Sequence, residues 1–178
     1  MNAEETNWFV ITGGPSAGKT TTISLLKARG YATAPEMSRT IIEEEMARGR
    51  ELADIRADGD AFQMKILHRQ QQLEASLNPD DVVFLDRGLP DGLAYERFLG
   101  LTPNPELVAA STTARYRKVF VLDLLPIHDD GGRIENEHEQ REIQKQLLAT
   151  YRELGFDVVT VPVMTLDERA QYILDRLS

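Results

Sequence analysis

The chain contains no cysteine, which excludes disulfides and thiolate metal sites from its stability and its chemistry. Positive charge is scarce, with 20 Lys and Arg against 29 Asp and Glu and a formal charge of −9. A surface of that sign repels DNA, RNA and anionic lipid, and no Lys/Arg run supplies a local exception. Neither a nucleic-acid partner nor a membrane partner is expected. The longest apolar runs have only the length of a strand, so no segment is expected to span a membrane. The opening Met1-Asn2-Ala3-Glu4-Glu5 is acidic and lacks the basic and apolar regions of a signal peptide, which makes the cytoplasm the expected compartment. Internal repeats, low-complexity linkers and an Asn-Lys-x-Asp guanine-specificity motif are also missing, and the last absence disfavours a GTPase of the translation or Ras type. What is present, 178 residues with 42% apolar and 28% charged, suits one soluble domain with a real core.

The strongest positive signal is Gly13-Gly14-Pro15-Ser16-Ala17-Gly18-Lys19-Thr20, directly after the apolar run Trp8-Phe9-Val10-Ile11. It satisfies G-x-x-x-x-G-K-[ST] at every fixed position and lies between a strand pattern and a helical pattern. Gly13 and Gly18 permit backbone angles that let successive N–H groups turn inward around a phosphate. The helix that starts at Gly18-Lys19 adds the positive end of its dipole, with Thr21 in its first turn. Lys19 is expected to reach the β- and γ-phosphates and the Thr20 hydroxyl to ligate Mg²⁺. A nucleoside triphosphate is the expected ligand of this loop.

Along the chain, strand-length apolar runs alternate with helical patterns, the signature of an α/β domain with a parallel sheet. Strands are expected at Trp8 to Thr12, Tyr31 to Ala34, Asp81 to Asp86, Val119 to Leu122 and Val158 to Val163. The helix after the phosphate loop should bury Ile23 and Leu26 and stop at Gly30. Further helices are expected from about Ser38 to Arg48, with Ile41, Ile42 and Met46 inward, and from about Asp60 to Leu77, with Phe62, Ile66, Leu73 and Leu77 on one face. Pro90 opens another helix, and Asn104-Pro105 reads as an N-cap followed by proline at the first helical position. Ile143, Leu147, Tyr151 and Leu154 pattern a later helix. Thr165-Leu166-Asp167-Glu168 reads as a capping box for a last helix that buries Leu166, Ala170, Ile173 and Leu177. The sum is a three-layer α/β/α domain.

Two strands end in Asp, at Asp86 and Asp123, and either can hold the Mg²⁺ shell outside the carboxyl ends of a parallel sheet. Asp86 is favoured because Arg87-Gly88 follows it at once, whereas Asp123 runs on into Leu124-Leu125-Pro126. Glu36, at the end of the second strand, can accept the proton of an attacking hydroxyl. Arg39, one turn on, can bind substrate or steady that carboxylate. Residues 126–141 are polar, hold Gly131-Gly132-Arg133 and suit a mobile lid over a triphosphate. Arg133 and Arg141 are its candidate cations for the transferred group. His128 and His138 match no metal-ligand spacing, so they are read as structural.

The phosphate loop, Glu36-x-x-Arg39, Asp86-Arg87-Gly88, the Arg133 lid and Val161-Pro162-Val163 before a capped helix occur here in one order. That order resembles the small P-loop family known as "AAA domain", which is similar to ribosylnicotinamide kinase domains and, more distantly, to deoxynucleoside and thymidylate kinases. The resemblance spans about residue 8 to 177. It implies a five-stranded parallel sheet in the order 2-3-1-4-5 with a nucleoside-kinase-like fold. It also implies that Glu36 falls at the general-base position, Asp86 at a metal or catalytic position, Arg87 at a substrate contact and Arg133 in the lid, where it would contact the nucleotide. The expected activity is Mg²⁺-dependent transfer of the γ-phosphoryl group of ATP, or of GTP, to a hydroxyl of a nucleoside or other small metabolite. Glu36 and Asp86 are both candidate bases. A nucleotide-dependent switch or slow NTPase acting on a protein partner is the alternative, motivated by the few arginines in the lid.

Overall fold

The computed structural model describes residues 5–57, 59–126 and 134–178. Five parallel strands form one sheet in the order β2-β3-β1-β4-β5. They are β1 (Trp8–Thr12), β2 (Ala32–Ala34), β3 (Val83–Asp86), β4 (Lys118–Leu122) and β5 (Val158–Val161). The expected sheet order is the observed one. β1 lies at the centre and is buried along its whole length, as its unbroken apolar run requires.

Alternation along the strands sends side chains to two separate cores. Phe9, Ile11, Phe84, Phe120 and Leu122 face α1 (Lys19–Ala28) and α8 (Leu166–Leu174), which contribute Ile23, Leu26, Ala170 and Ile173. Trp8, Val10, Val83, Leu85, Val119 and Val121 face the other way. There they meet Tyr151 of α7 (Ile134–Glu153) and, at the edge, Leu73 and Leu77 beside α4 (Gly59–Ser76). Helices α2 (Met37–Ala47), α3 (Leu52–Ala57), α5 (Leu89–Phe98) and α6 (Pro105–Thr113) complete the layer that overhangs the carboxyl end of β3.

Both expected caps are present. Asn104 accepts from the N–H groups of Glu106 at 2.9 Å and Leu107 at 3.3 Å, with Pro105 at the first helical position. The Thr165 N–H donates to Glu168 at 2.9 Å while the Glu168 N–H returns to the Thr165 hydroxyl at 3.4 Å. Leu166 is a correction. It is 40% exposed because, as the first residue of α8, it precedes the turn that reaches the core. In α4 the fully buried positions are Leu67, Gln70 and Glu74, while Leu73 and the following Leu77 pack against the core as expected. Phe62 and Ile66 line a cavity instead. Helix α3 was not foreseen, since six residues with only Ile55 buried carry too little periodicity. Residues 134–141, expected within a lid, are the first two turns of α7.

In α2 Met46, expected to face inward, is exposed, and Glu45 beside it is buried. Lys65 of α4 donates to the Glu45 carboxylate at 2.5 Å, Arg50 at 3.1 Å and Arg48 at 3.2 Å. Arg69 of α4 adds a two-pronged grip on Glu44, at 2.8 and 3.0 Å. These pairs fix the distance between α2 and α4, which form two walls of the cavity. Hydrogen bonds from Lys65 and then Arg50 lower the Glu45 carboxyl from 4.5 to about 2. A depressed carboxylate contributes stability above its ordinary value and loses it as the pH falls through the folded-state value. Glu45→Gln should therefore lower the Tm at pH 7 and flatten its fall between pH 4.5 and about 2. Parallel acid-melting curves for the two proteins would show that Glu45 plays no such part.

Candidate active site

The phosphate loop leaves β1 at Thr12 and ends where α1 starts. Three of its residues have left-handed backbone: Gly13 (φ 151°), Ser16 (φ 64°) and Gly18 (φ 81°). Ser16 is the one that a search for glycines misses. A Cβ on Gly13 would lie 2.8 Å from the carbonyl oxygen of Leu122, so the close approach to β4 needs glycine. Lys19 is buried and donates to the carbonyls of Gly13 at 2.8 Å and Gly14 at 2.9 Å, spanning the loop. Burial and then the like charge of Arg87 lower its ammonium to about 8. Thr20 and Thr21 are exposed at the start of α1, and the Thr21 hydroxyl donates to the Gly18 carbonyl at 3.2 Å.

The acidic turn stands next to this loop because Asp86 pairs with Ile11 in the β1–β3 register. Arg87 takes a left-handed backbone at φ 69°, and its N–H donates to the Ile11 carbonyl at 3.0 Å. Asp86 is buried, and its Oδ1 has no hydrogen-bond partner among the described residues. Burial, then the like charge of Glu36, push the Asp86 carboxyl up to about 6, against the pull of Arg87 and Lys19. The Nε of Arg87 lies 3.3 Å from Glu36 Oε1, an ion pair without an aligned hydrogen bond, and its guanidinium sits over the Tyr95 ring at 5.2 Å. Glu36 caps α2 in extended backbone and accepts from the Ser38 hydroxyl at 2.5 Å. Lys19, Glu36, Asp86 and Arg87 thus form one electrostatic group.

Beyond that group lies a cavity of about 330 Å³. Met37 and Ile42 of α2, Phe62 and Ile66 of α4, Leu89 and Tyr95 of α5, and Leu101 and Leu107 beyond them form its apolar walls. Glu36, Asp86 and Arg87 border it on the side of the phosphate loop, and Arg56 of α3 lines it too. Arg39 is exposed and is absent from the lining, and it is Arg87 that pairs with Glu36. Asp123 follows β4, and its charge acts on Arg169. Arg133 and His128 lie outside the described residues. His138 and Arg141 are exposed on α7, and Arg141 pairs with Glu137.

Magnesium takes oxygen ligands and usually keeps waters and substrate phosphates in its shell. An orphaned buried Asp86 oxygen and the Thr20 hydroxyl are donors of that kind. Among the described residues, no three His, Asp or Glu side chains cluster as a self-sufficient metal site. The residues therefore fit a Mg²⁺ that is completed by phosphate oxygens.

Several site residues carried little sequence signal. Asp91, in the first turn of α5, accepts from the Thr12 hydroxyl at 2.5 Å, the Gly88 N–H at 3.0 Å and the Tyr151 hydroxyl. Its place three residues after Gly88, in a helix opened by proline, is the one available hint. Gln144 of α7 accepts from the Gly14 N–H at 2.7 Å and donates to the Leu122 carbonyl at 2.9 Å, binding the loop to β4. Arg169 of α8 donates to the Ala17 carbonyl at 2.8 Å.

A phosphate loop between the first strand and helix, a parallel sheet in the order β2-β3-β1-β4-β5 and an Asp-Arg turn at the end of β3 define a P-loop domain with the nucleoside and nucleotide kinase fold. The chain belongs to the AAA domain family, whose model matches residues 8–169. Its fold is similar to thymidylate kinase from Ehrlichia chaffeensis, at 9% identity and a TM-score of 0.66 over 98% of this chain and 100% of that one. NadR protein in complex with NR is similar at 19% identity and a TM-score of 0.65, over 96% of this chain and 49% of that one. Thymidylate kinase from Candida albicans aligns at 18% identity and a TM-score of 0.58, over 98% and 92%. No curated protein matches the chain. No helix among the described residues is long and apolar enough to cross a membrane.

The raised Asp86 value has a measurable consequence. Its folded-state carboxyl, at about 6, lies above the ordinary 3.8, so folding takes up a proton and stability is lost as pH rises through that window. In nucleotide-free protein, Asp86→Asn should raise the Tm at about pH 8 and change it little near pH 3.5. A lower Tm for the variant at both values would refute this burial account.

Proposed function

We propose that the protein is a Mg²⁺-dependent phosphotransferase that moves the γ-phosphoryl group of ATP, with GTP as the alternative donor, to a hydroxyl of a nucleoside or another small metabolite. One observation carries this reading: Asp86, whose buried Oδ1 has no partner among the described residues, and the Glu36–Arg87 pair border the cavity on the side of the phosphate loop. A simple nucleotide switch needs no such second chamber with carboxylates at its mouth.

The acceptor hydroxyl would enter from the cavity beside Glu36 and Asp86. Its oxygen bonds to the γ-phosphorus while the bond from that phosphorus to the β,γ-bridging oxygen breaks, releasing the nucleoside diphosphate. The hydroxyl proton passes to Glu36 or Asp86. Lys19 and the loop N–H groups hold the phosphate chain in line, and Arg87 keeps the Glu36 carboxylate in place. Mg²⁺, held by Thr20 and Asp86, would supply positive charge to the β- and γ-oxygens. Arg39 remains a proposed substrate contact on the exposed side of α2.

The cavity also bears on the acceptor's charge. Glu36, Asp86, Asp91 and Glu96 outnumber Arg56 and Arg87 among its lining residues, and Arg87 is already paired with Glu36. That balance favours an acceptor with an apolar body and no phosphate of its own over a phosphomonoester.

The test is ADP formation from Mg·ATP with a panel of nucleosides, their monophosphates and simple alcohols, with Lys19→Ala as the blank. Stimulation by an unphosphorylated alcohol is expected. Glu36→Gln should then lower transfer by about 10²–10⁴-fold, the usual worth of a general base, while ADP affinity stays within about threefold. Slow turnover indifferent to every acceptor would replace this reading with a nucleotide-dependent switch acting on a protein partner.

A further inference from the structure

Arg169 is the fourth residue of α8, on a helix whose neighbouring Asp167 and Glu168 are exposed. It is itself only 3% exposed. A buried guanidinium normally sits against a carboxylate, because removing the charge from water is otherwise costly. Here no carboxylate lies within ion-pair distance among the described residues, and Asp123 acts on it only as a nearby charge. Among the described residues its Nε and Nη2 have no hydrogen-bond partner. Its Nη1 donates to the Ala17 carbonyl of the phosphate loop at 2.8 Å. A Cβ on Gly18 would lie 2.7 Å from that same Nη1, so the guanidinium fills the space that a side chain there would take.

We infer that Arg169 is a positioning residue of the nucleotide site, whose missing counter-charge is the phosphate chain of the bound nucleotide. The Ala17 carbonyl and the Gly18 N–H belong to one trans peptide and point in opposite directions. Holding the carbonyl outward on Arg169 turns the Gly18 N–H to the opposite side of the loop, where phosphate is bound. The cation also polarises that peptide and strengthens its N–H as a donor. Only the thickness of the loop separates the guanidinium from the phosphates, in a region poor in water, so its charge is weakly screened there. Gly18 is thus required twice, for its φ of 81° and for the approach of Arg169.

The inference depends on nucleotide occupying the loop and not on phosphoryl transfer, so it is tested by binding without an acceptor. Calorimetric titration of the full chain with ADP, AMP and adenosine would be compared for wild type, Arg169→Met and Arg169→Lys. Arg169→Met should weaken ADP by about tenfold or more, AMP by less and adenosine by less than about twofold. Arg169→Lys should recover part of the ADP affinity because it keeps the charge. A helix fastener without an electrostatic role would lower the Tm of both variants and leave the ordering of the three ligands unchanged, which would overturn the inference. Failure of wild type to bind ADP would overturn it as well. If the variants do not fold, the ¹⁵N resonance of Arg169 Nε in wild type decides: a shift on ADP addition supports the inference and a static signal refutes it.

Discussion

A single buried carboxylate, Asp91, ties the phosphate loop to the acidic turn after β3 and to α7. It receives the hydroxyl of Thr12, the last residue before the phosphate loop, and the N–H of Gly88, which closes the Asp86-Arg87-Gly88 turn. It also receives the hydroxyl of Tyr151 from α7. Phosphate loop, acidic turn and the helix that follows the 127–133 segment are therefore referenced to one side chain. A second buried acid extends the framework. Tyr116 donates to Glu74 of α4 at 2.7 Å and accepts the Leu89 N–H at 2.9 Å, so the cavity wall is tied to the same turn. Burial, reinforced by these acids, raises both phenols well above their ordinary value, and they stay protonated as donors. Gly88 fits this arrangement because a Cβ there would sit 2.8 Å from the Tyr116 ring and from the Tyr151 hydroxyl.

On that frame burial works against the charges of the site. Lys19 is drawn down to about 8 and Asp86 up to about 6, and in both cases burial is the main cause. Each group is pushed toward its neutral form although charges of the opposite sign are near. Buried groups that were simply structural would be expected to find full partners, as Asp91 and Glu45 do. A phosphate chain beside Lys19 and a hard cation beside Asp86 are the ligands that would reverse both shifts. Among the described residues, most of the buried side-chain atoms left without a partner, on Asp86, Arg87 and Arg169, lie beside the phosphate loop, with the Ser111 hydroxyl of α6 the exception.

Legibility in the sequence followed range of interaction. β1, the phosphate loop, β3 and the α6 and α8 caps depend on residues a few positions apart, and their apolar runs, glycines and capping side chains are readable without the fold. The order of the strands was accessible through resemblance, because it is a property of the topology and not of any local pattern. Ser16 escaped because a left-handed residue without glycine leaves no compositional trace. Gln144 and Arg169 escaped for a different reason: each is a polar residue on an amphipathic helix and reads as solvent-facing until the loop it touches is in place. The burial of Gln70 and Glu74 in α4 left no local trace because they are buried by pairing with each other and with Tyr116, a contact 42 residues distant in the chain. Met46 was misjudged because three cations make the neighbouring Glu45 a better buried residue than the methionine.

The same distinction separates what the family shares from what this chain selects. Solved structures at 9% to 19% identity have this sheet and its topology in common, so the likeness resides in backbone that many sequences can build. The cavity is built differently, from α2 through α6, where Phe62, Ile66, Leu101 and Leu107 meet across short helices and connecting loops. Its position relative to the phosphate loop is held by Asp91 and Glu74, but its shape depends on the apolar side chains those acids do not touch. Substitution among these walls would reshape the cavity without disturbing the phosphate loop, because none of the loop's hydrogen bonds among the described residues passes through them. The loop is thus held by polar contacts to β4, α7 and α8, whereas the shape of the cavity is a packing problem solved separately on the overhanging helices.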